Sequence, residues 1–204
     1  STRASSSFIV ASAARMTPER VEEALFGIEK SDSEVIPGLL ERAHGGTLFL
    51  DEIADMPVTT QGRILRVLTD QAFTRVGGSR TVRVDVRVVS ATSRNLQEEM
   101  AAGRFREDFY YRLNVVPVHI PPLSERREDI ALLARHFLAR LAHERYGIAP
   151  DIAPEALIAL QSFDWPGNVR QLRNVIEQTL ILAPIDRLQR IELENGRLLQ
   201  TQIR

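Results

Sequence analysis

The sequence predicts an α/β subdomain built on a parallel sheet over residues 1–121, an all-helical subdomain over 122–184, and a linker or tail over 185–204. Three observations carry this. Short apolar stretches alternate with helical patterns up to residue 120, as in parallel α/β folds. The run His44-Gly-Gly-Thr-Leu-Phe-Leu-Asp51-Glu52 is a buried-type strand that stops at two adjacent carboxylates. Beyond Pro121-Pro122 the periodicity is wholly helical. Open α/β sheets bind ligands at the carboxyl ends of their strands, so the Asp-Glu pair marks a candidate site.

Phe8 to Ala11 reads as a short buried strand. Thr17 as cap and Pro18 at the first helical position open a helix to about Phe26, with Val21, Leu25 and Phe26 on one side. Residues 27–46 are mixed, and Thr47 to Leu50 is the second strand. Pro57 introduces a helix to about Asp70 whose Ile64, Leu65 and Leu68 face inward. Gly77-Gly78 marks a hairpin or exposed loop. From Val82 to Val88, valines alternate with Arg83, Asp85 and Arg87, the period-2 pattern of one strand with a wet face, entering the sheet interior at Val88-Val89. Helices are expected near 95–102 and 104–112, and a further strand over Val115 to Ile120.

In the helical part, Ile130, Leu133, Ala134, Phe137, Leu138 and Leu141 share one face of a helix ending at Gly147. A second helix begins at Pro154. Asn168 and Gln171 form a capping box for a third, which runs to about Ala183 and stops at Pro184.

With 204 residues, 44% hydrophobic and 26% charged, the composition is that of an ordinary globular chain. No apolar run reaches membrane-spanning length. The lack of cysteine excludes disulfides and thiolate metal sites and suits a cytoplasmic protein. A net charge of −1 gives no bulk attraction to nucleic acid. Lys30 is the only lysine, and no glycine-rich loop precedes it, so the chain holds no phosphate-binding loop of the Walker A kind.

Four motifs in order carry a resemblance. The acidic strand tip is followed by Ala91-Thr-Ser-Arg-Asn-Leu, by Gly103-Arg-Phe-Arg106-Glu-Asp-Phe-Tyr-Tyr-Arg112-Leu, and by Trp165-Pro-Gly-Asn-Val-Arg170-Gln-Leu. Over about Phe8 to Ala183 the chain resembles the sigma-54-type AAA+ activators of the NtrC family, and so implies an incomplete AAA+ P-loop-type sheet followed by a helical lid. The resemblance makes Asp51 the Mg2+ partner and Glu52 the group that activates water, with ATP as the nucleotide. It makes Arg106 and Arg112 arginine fingers that reach a neighbouring subunit's nucleotide, in a self-assembled ring or dimer. Nucleotide contacts would also come from Gly45, Gly46, Thr92 (sensor I) and Arg170 (sensor II). An arginine beside Glu107 and Asp108 equally suits a surface ion pair, and Arg170 equally suits a lid-surface role.

Departures from the family pattern matter as much. Ser93 stands where an Asn is usual, and Ser12 where an Asn commonly holds the Walker B glutamate. After Leu25-Phe-Gly the chain reads Ile-Glu-Lys-Ser-Asp-Ser-Glu-Val-Ile-Pro in place of the Gly-Ala-Phe-Thr-Gly-Ala loop that contacts sigma-54. That loss is typical of NtrX-type members, two-component response regulators of nitrogen-related transcription, and argues against engagement of the RNA polymerase sigma-54 holoenzyme. DNA contact would come from a C-terminal domain outside this chain.

The family's central strand, which precedes the P-loop, is also missing, which predicts marginal stability. Two functions stay open: an inter-subunit ATPase module, probed by Glu52→Gln, and a non-catalytic oligomerisation module. Without the P-loop, the chain by itself is expected to be inactive.

Overall fold

In a computed structural model, residues 2–13, 17–31, 34–146 and 151–182 are described, together with Arg190–Ile191. The chain divides into two compact units, Ser1–Pro117 and Val118–Arg204.

The first unit begins with β1 (Phe8–Ser12), α1 (Pro18–Phe26), the strand pair β2 (Ile28–Ser31) and β3 (Glu34–Ile36), and α2 (Leu39–Arg42). It continues through β4 (Thr47–Asp51), a 3-10 turn at Ile53–Asp55, α3 (Val58–Asp70), the strand pair β5 (Ala72–Thr74) and β6 (Thr81–Arg83), and β7 (Arg87–Ser90). Helices α4 (Leu96–Ala101) and α5 (Glu107–Leu113) complete it. Strands β1, β4 and β7 form a parallel sheet in that order, with Val10, Phe49 and Val89 in one row and Ala11, Leu50 and Ser90 in the next.

The middle strand shows why the sheet forms. Leu48 and Leu50 point to one face and are fully buried against Leu25, Phe26, Ile64 and Phe109. On the other face Phe49 stacks on Phe8 at 6.1 Å between ring centroids, and Phe8 and Val10 remain 63% and 56% exposed. The expected buried strand is therefore buried on one side only, and it extends to Ser12.

Helix α1 starts with Pro18 in its first turn, but the Thr17 side chain makes no capping bond. It stops at Gly27, whose φ of 75° a side chain would strain. A Cβ on Gly27 would also lie 2.4 Å from the Ile36 carbonyl, so the close approach of the two ends of the β2–β3 pair needs glycine there. The mixed segment 27–46 thus contains a short antiparallel pair and one turn of helix, neither visible as periodicity.

Two strand expectations fail for the same reason: a strand needs a ladder partner. The Val82–Val88 run breaks into β6, paired with β5, and β7, paired with β4, with residues 84–86 crossing between the two sheets. Its alternation survives, since Val84 is buried and Arg83, Asp85 and Arg87 are exposed. However, β7 is an edge of the described sheet, not its interior, and Val89 is 39% exposed. Val115 to Ile120 forms no strand: among the described residues nothing pairs with it, and Val115, Val116, Val118 and Ile120 are 72–79% exposed.

The second unit consists of a 3-10 turn at Leu123–Glu125, α6 (Glu128–Tyr146), β8 (Asp151–Ile152), α7 (Pro154–Ser162), α8 (Asn168–Leu182) and β9 (Arg190–Ile191), which pairs with β8. Ile130, Ala134 and Leu138 of α6 are buried with Leu160, Trp165 and Leu172. The buried Trp165 indole donates to the Leu160 carbonyl at 2.7 Å, so its polar atom is satisfied.

The expected capping box between Asn168 and Gln171 does not form, and the Asn168 N–H donates to the Trp165 carbonyl at 2.7 Å. Gln171 accepts from the Gly167 N–H at 2.9 Å, but the Asn168 carboxamide turns away and accepts from the Leu123 N–H at 2.7 Å. Gly147, Ala183 and Pro184, expected at helix ends, lie outside the described residues, as does most of 185–204.

Candidate functional site

Asp51 closes the middle strand β4, in register with Ser12 of β1. Its half-buried carboxylate makes no side-chain hydrogen bond or ion pair among the described residues, which leaves a hard oxygen donor free at the sheet tip. Ser12 likewise makes no side-chain bond there.

Glu52 leaves the strand with φ 53° and ψ 56°, left-handed values that cost a non-glycine residue about 1 kcal/mol. The strain is held by lacing: the Ala91 N–H donates to the Leu50 carbonyl at 2.9 Å, and the Ile53 N–H to the Ala91 carbonyl at 3.0 Å.

This lacing carries the segment after β7 alongside Glu52. The Ser93 N–H donates to Glu52 Oε2 at 3.0 Å, and the Ser93 hydroxyl lies 2.9 Å from Oε1 and 3.1 Å from Oε2. Next to it, Arg94 pairs with Asp55 at 2.5 Å, and the Thr92 Oγ1 accepts from the Arg94 N–H at 3.1 Å. Asp51, Glu52, Thr92 and Ser93 therefore gather at one strand tip.

Gly45 and Gly46 do not belong to that group. They precede β4 while Asp51 ends it, and the rise of a strand separates the two ends by about 16 Å. Their work is in the backbone. The Gly45 N–H donates to the Asp85 carbonyl at 2.8 Å, and a Cβ on Gly46 would fall 2.2 Å from the Ser7 carbonyl.

The two candidate finger arginines sit at opposite ends of α5, about 9 Å apart along its axis. Neither touches Asp51 or Glu52. The Arg106 guanidinium is chelated by Asp108, Nε to Oδ1 at 3.0 Å and Nη2 to Oδ2 at 2.7 Å. The guanidinium holds the Asp108 carboxyl below the usual aspartate range, and the carboxylate raises the guanidinium in turn. Arg112 donates to the Leu68 carbonyl at 2.7 Å, in the last turn of α3 where carbonyls lack helical partners. Both arginines remain exposed. In the second unit, Arg170 is exposed in the first turn of α8 and makes no hydrogen bond or ion pair among the described residues.

Sequence reasoning missed what holds these groups in place. Gln61 of α3 is fully buried: its amide donates to the Met56 carbonyl at 2.8 Å and the Arg104 carbonyl at 3.0 Å, and its Oε1 accepts from the Arg106 N–H at 2.9 Å. It ties the turn after Glu52 to the segment that enters α5. The available signal was a glutamine in phase with Ile64, Leu65 and Leu68 on the inward face.

A second link runs Asp55–Arg94–Glu99–Arg104, with Glu99 bonded to Arg104 at 2.6 Å and 3.7 Å from Arg94. Hydrogen bonding to Arg104 holds the Glu99 carboxyl below its ordinary value.

Among the described residues no three His, Cys, Asp or Glu side chains converge on a metal-sized site. A cation here would rest on Asp51 plus ligands from elsewhere, as magnesium does with one carboxylate and substrate phosphates. No described helix is long and apolar enough to cross a membrane.

Residues 1–119 match the family model of the Sigma-54 interaction domain, and residues 124–202 match that of the AAA+ ATPase lid domain. The chain is 56% identical over 184 residues to the nitrogen assimilation regulatory protein NtrX of Azorhizobium caulinodans, covering 90% of this chain and 40% of that protein. It is 49% identical over 187 residues to the DNA-binding transcriptional regulator NtrC of Klebsiella pneumoniae, again 90% of this chain and 40% of that protein. A crystal structure of NtrX from Brucella abortus in complex with ADP superposes with a TM-score of 0.88 at 48% identity, covering 97% of this chain and 43% of that one. The chain thus spans about two-fifths of the length of the curated relatives it matches.

Proposed function

Because the chain belongs to the Sigma-54 interaction domain family of NtrC- and NtrX-like AAA+ regulators, we propose that it forms the acidic and arginine-bearing part of an ATP-handling module in a transcriptional regulator. The observation that carries this reading is the Asp51–Glu52 pair at the carboxyl tip of β4, with Asp51 left unengaged. Brucella abortus NtrX has been solved with ADP and with ATP, which supports the nucleotide.

In this reading Asp51 would hold Mg2+, and Glu52 orients the attacking water. The metal supplies charge neutralisation when bound; the chain's own contribution is to present one free carboxylate to it. Arg106 and Arg112 reach across a self-assembly interface to a neighbour's nucleotide, Arg106 exchanging Asp108 for phosphate. An arginine supplied in trans contributes roughly 10³–10⁵ in rate in well-studied systems. Thr92 and Arg170 serve as phosphate contacts. The phosphate cradle itself must come from residues outside this chain, since no glycine-rich loop with a lysine is present.

A non-catalytic oligomerisation role is the second reading. It is favoured by the short β2–β3 pair that stands in place of a sigma-54 contact loop, clamped at its base by the Arg75–Glu29 bond at 2.8 Å. In that case nucleotide would serve as a structural ligand and DNA would be met by a separate domain.

ATP turnover by a protein that supplies the phosphate-binding segment ahead of Ser1, compared with its Glu52→Gln variant, tests the choice. Loss of turnover with retained binding supports the ATPase. Equal rates in the two proteins remove it.

A further inference from the structure

We infer that Ser93 is the positioning residue for Glu52, holding the carboxylate turned toward the end of β7 until the segment Thr92–Arg94 moves. The inference rests on reading Glu52 as the group that activates water.

Three features of the tip support it. First, Ser93 addresses Glu52 twice, through its N–H at 3.0 Å and its hydroxyl at 2.9 Å, and the second bond exists only because a hydroxyl stands at this position. Hydrogen bonds to an ionised carboxylate are about twice as strong as neutral ones, so the pair of bonds outweighs a single contact to water. Second, the lone pairs so occupied are those a water-activating carboxylate must turn toward its water.

Third, neither partner can drift. Glu52 is fixed by its left-handed backbone and the Ile53–Ala91 bond. Ser93 lies between Thr92, whose hydroxyl oxygen accepts from the Arg94 N–H, and Arg94, which pairs with Asp55 three residues beyond Glu52. The two turns are thus fastened at two points, and a displacement of one is passed to the other. Ser12, the other residue beside the tip, makes no side-chain bond to Glu52 among the described residues.

The contact is testable on the 204-residue chain without nucleotide. A backbone N–H bonded to a carboxylate exchanges with solvent more slowly than an unbonded one. The Ser93 amide is therefore expected to be protected from hydrogen exchange in the wild type and to lose that protection in Glu52→Ala. A Ser93 amide that is unprotected in the wild type, or equally protected in Glu52→Ala, overturns the inference.

The functional arm uses the protein with its phosphate-binding segment in place. Ser93→Ala is expected to raise kcat about fivefold, as loss of one hydrogen bond of about 1 kcal/mol implies, with the ATP KM within about twofold. Ser93→Thr, which keeps the hydroxyl, is expected to restore the slower rate. A fall in kcat with a rise in KM, or identical behaviour of the Ala and Thr variants, overturns the positioning role. If no protein, wild type included, turns over ATP, the ATPase reading fails, and the Ser93 amide exchange alone decides whether Ser93 holds Glu52.

Discussion

Arg75 clasps Glu41 with two parallel hydrogen bonds, Nε to Oε1 at 2.9 Å and Nη2 to Oε2 at 2.7 Å. Its remaining nitrogen, Nη1, donates to Glu29 at 2.8 Å, so one guanidinium joins β2, α2 and the segment after β5. All three side chains are mostly buried, at 7–18% exposure. Both carboxylates raise the Arg75 guanidinium above its ordinary value, Glu41 first.

Arg75→Met leaves two buried carboxylates without their cation. Removing one partner of a buried ion pair costs about 3 kcal/mol, and urea unfolding is expected to show a loss of that order. The Glu29 amide, bonded to the Val76 carbonyl, is expected to lose hydrogen-exchange protection along with it. A variant as stable as the wild type would show that the clasp is dispensable.

Gln61→Met matches the side chain in volume but removes one acceptor and two donated bonds. The Arg106 N–H and the Met56 and Arg104 carbonyls then lose their partner in a buried setting. At about 1–3 kcal/mol for each stranded group, partly relieved by water, the expected destabilisation is about 3 kcal/mol by thermal or urea unfolding. Gln61→Glu keeps the acceptor for Arg106 but sets a buried carboxylate oxygen against the Met56 and Arg104 carbonyls, and is expected to destabilise at least as much as Gln61→Met.

Acid sensitivity follows from Glu99 and Asp108, both held below their ordinary values by arginines. A carboxylate whose folded value is depressed stabilises the fold above its unfolded value and loses that contribution as pH falls through the folded one. The first unit is therefore expected to weaken below about pH 4.5, Glu99's ordinary value. Arg104→Gln should move the Glu99 carboxyl back up, as read by carbon NMR titration. It should also flatten the acid limb of the stability curve. An unmoved Glu99 resonance would contradict the assignment to Arg104.

Asn168 combines a left-handed backbone, φ 51°, with a carboxamide that accepts from Leu123 N–H. Asn168→Gly keeps the conformation and loses the bond, an expected cost of about 1 kcal/mol. Asn168→Ala loses both and is expected to cost about 1 kcal/mol more, since alanine pays for the left-handed backbone. Trp165 fluorescence reports the unfolding, because that indole lies in the core of the same unit. Equal effects of Gly and Ala would place the whole cost on the hydrogen bond.

Helices and the acidic strand tip were legible because their signals are local. Leu48 and Leu50 alternate with Thr47, Phe49 and Asp51, and Ile130, Ala134 and Leu138 recur with helical spacing, so burial follows from period alone. Asp51-Glu52 were legible as a candidate site because the motifs downstream restricted their meaning. Of the two candidate finger arginines, Arg106 takes the nearby ion pair that its neighbours Glu107 and Asp108 suggested, two residues away, whereas the Arg112 partner, the Leu68 carbonyl, lies 44 residues away and was not legible.

What the chain order determined, then, was which segments can form elements and which carboxylates end a strand. Only the tertiary structure decided that the valine run splits between two sheets and that Val115–Ile120 stays out of a ladder. It also decided that Gly45 and Gly46 lie at the far end of β4 from Asp51. The same is true of the bonds from Gln61 to Arg104 and Arg106 and from Ser93 to Glu52, which span 41–45 residues. Pairing and polar satisfaction are properties of two segments at once, and no periodicity within either one records the other.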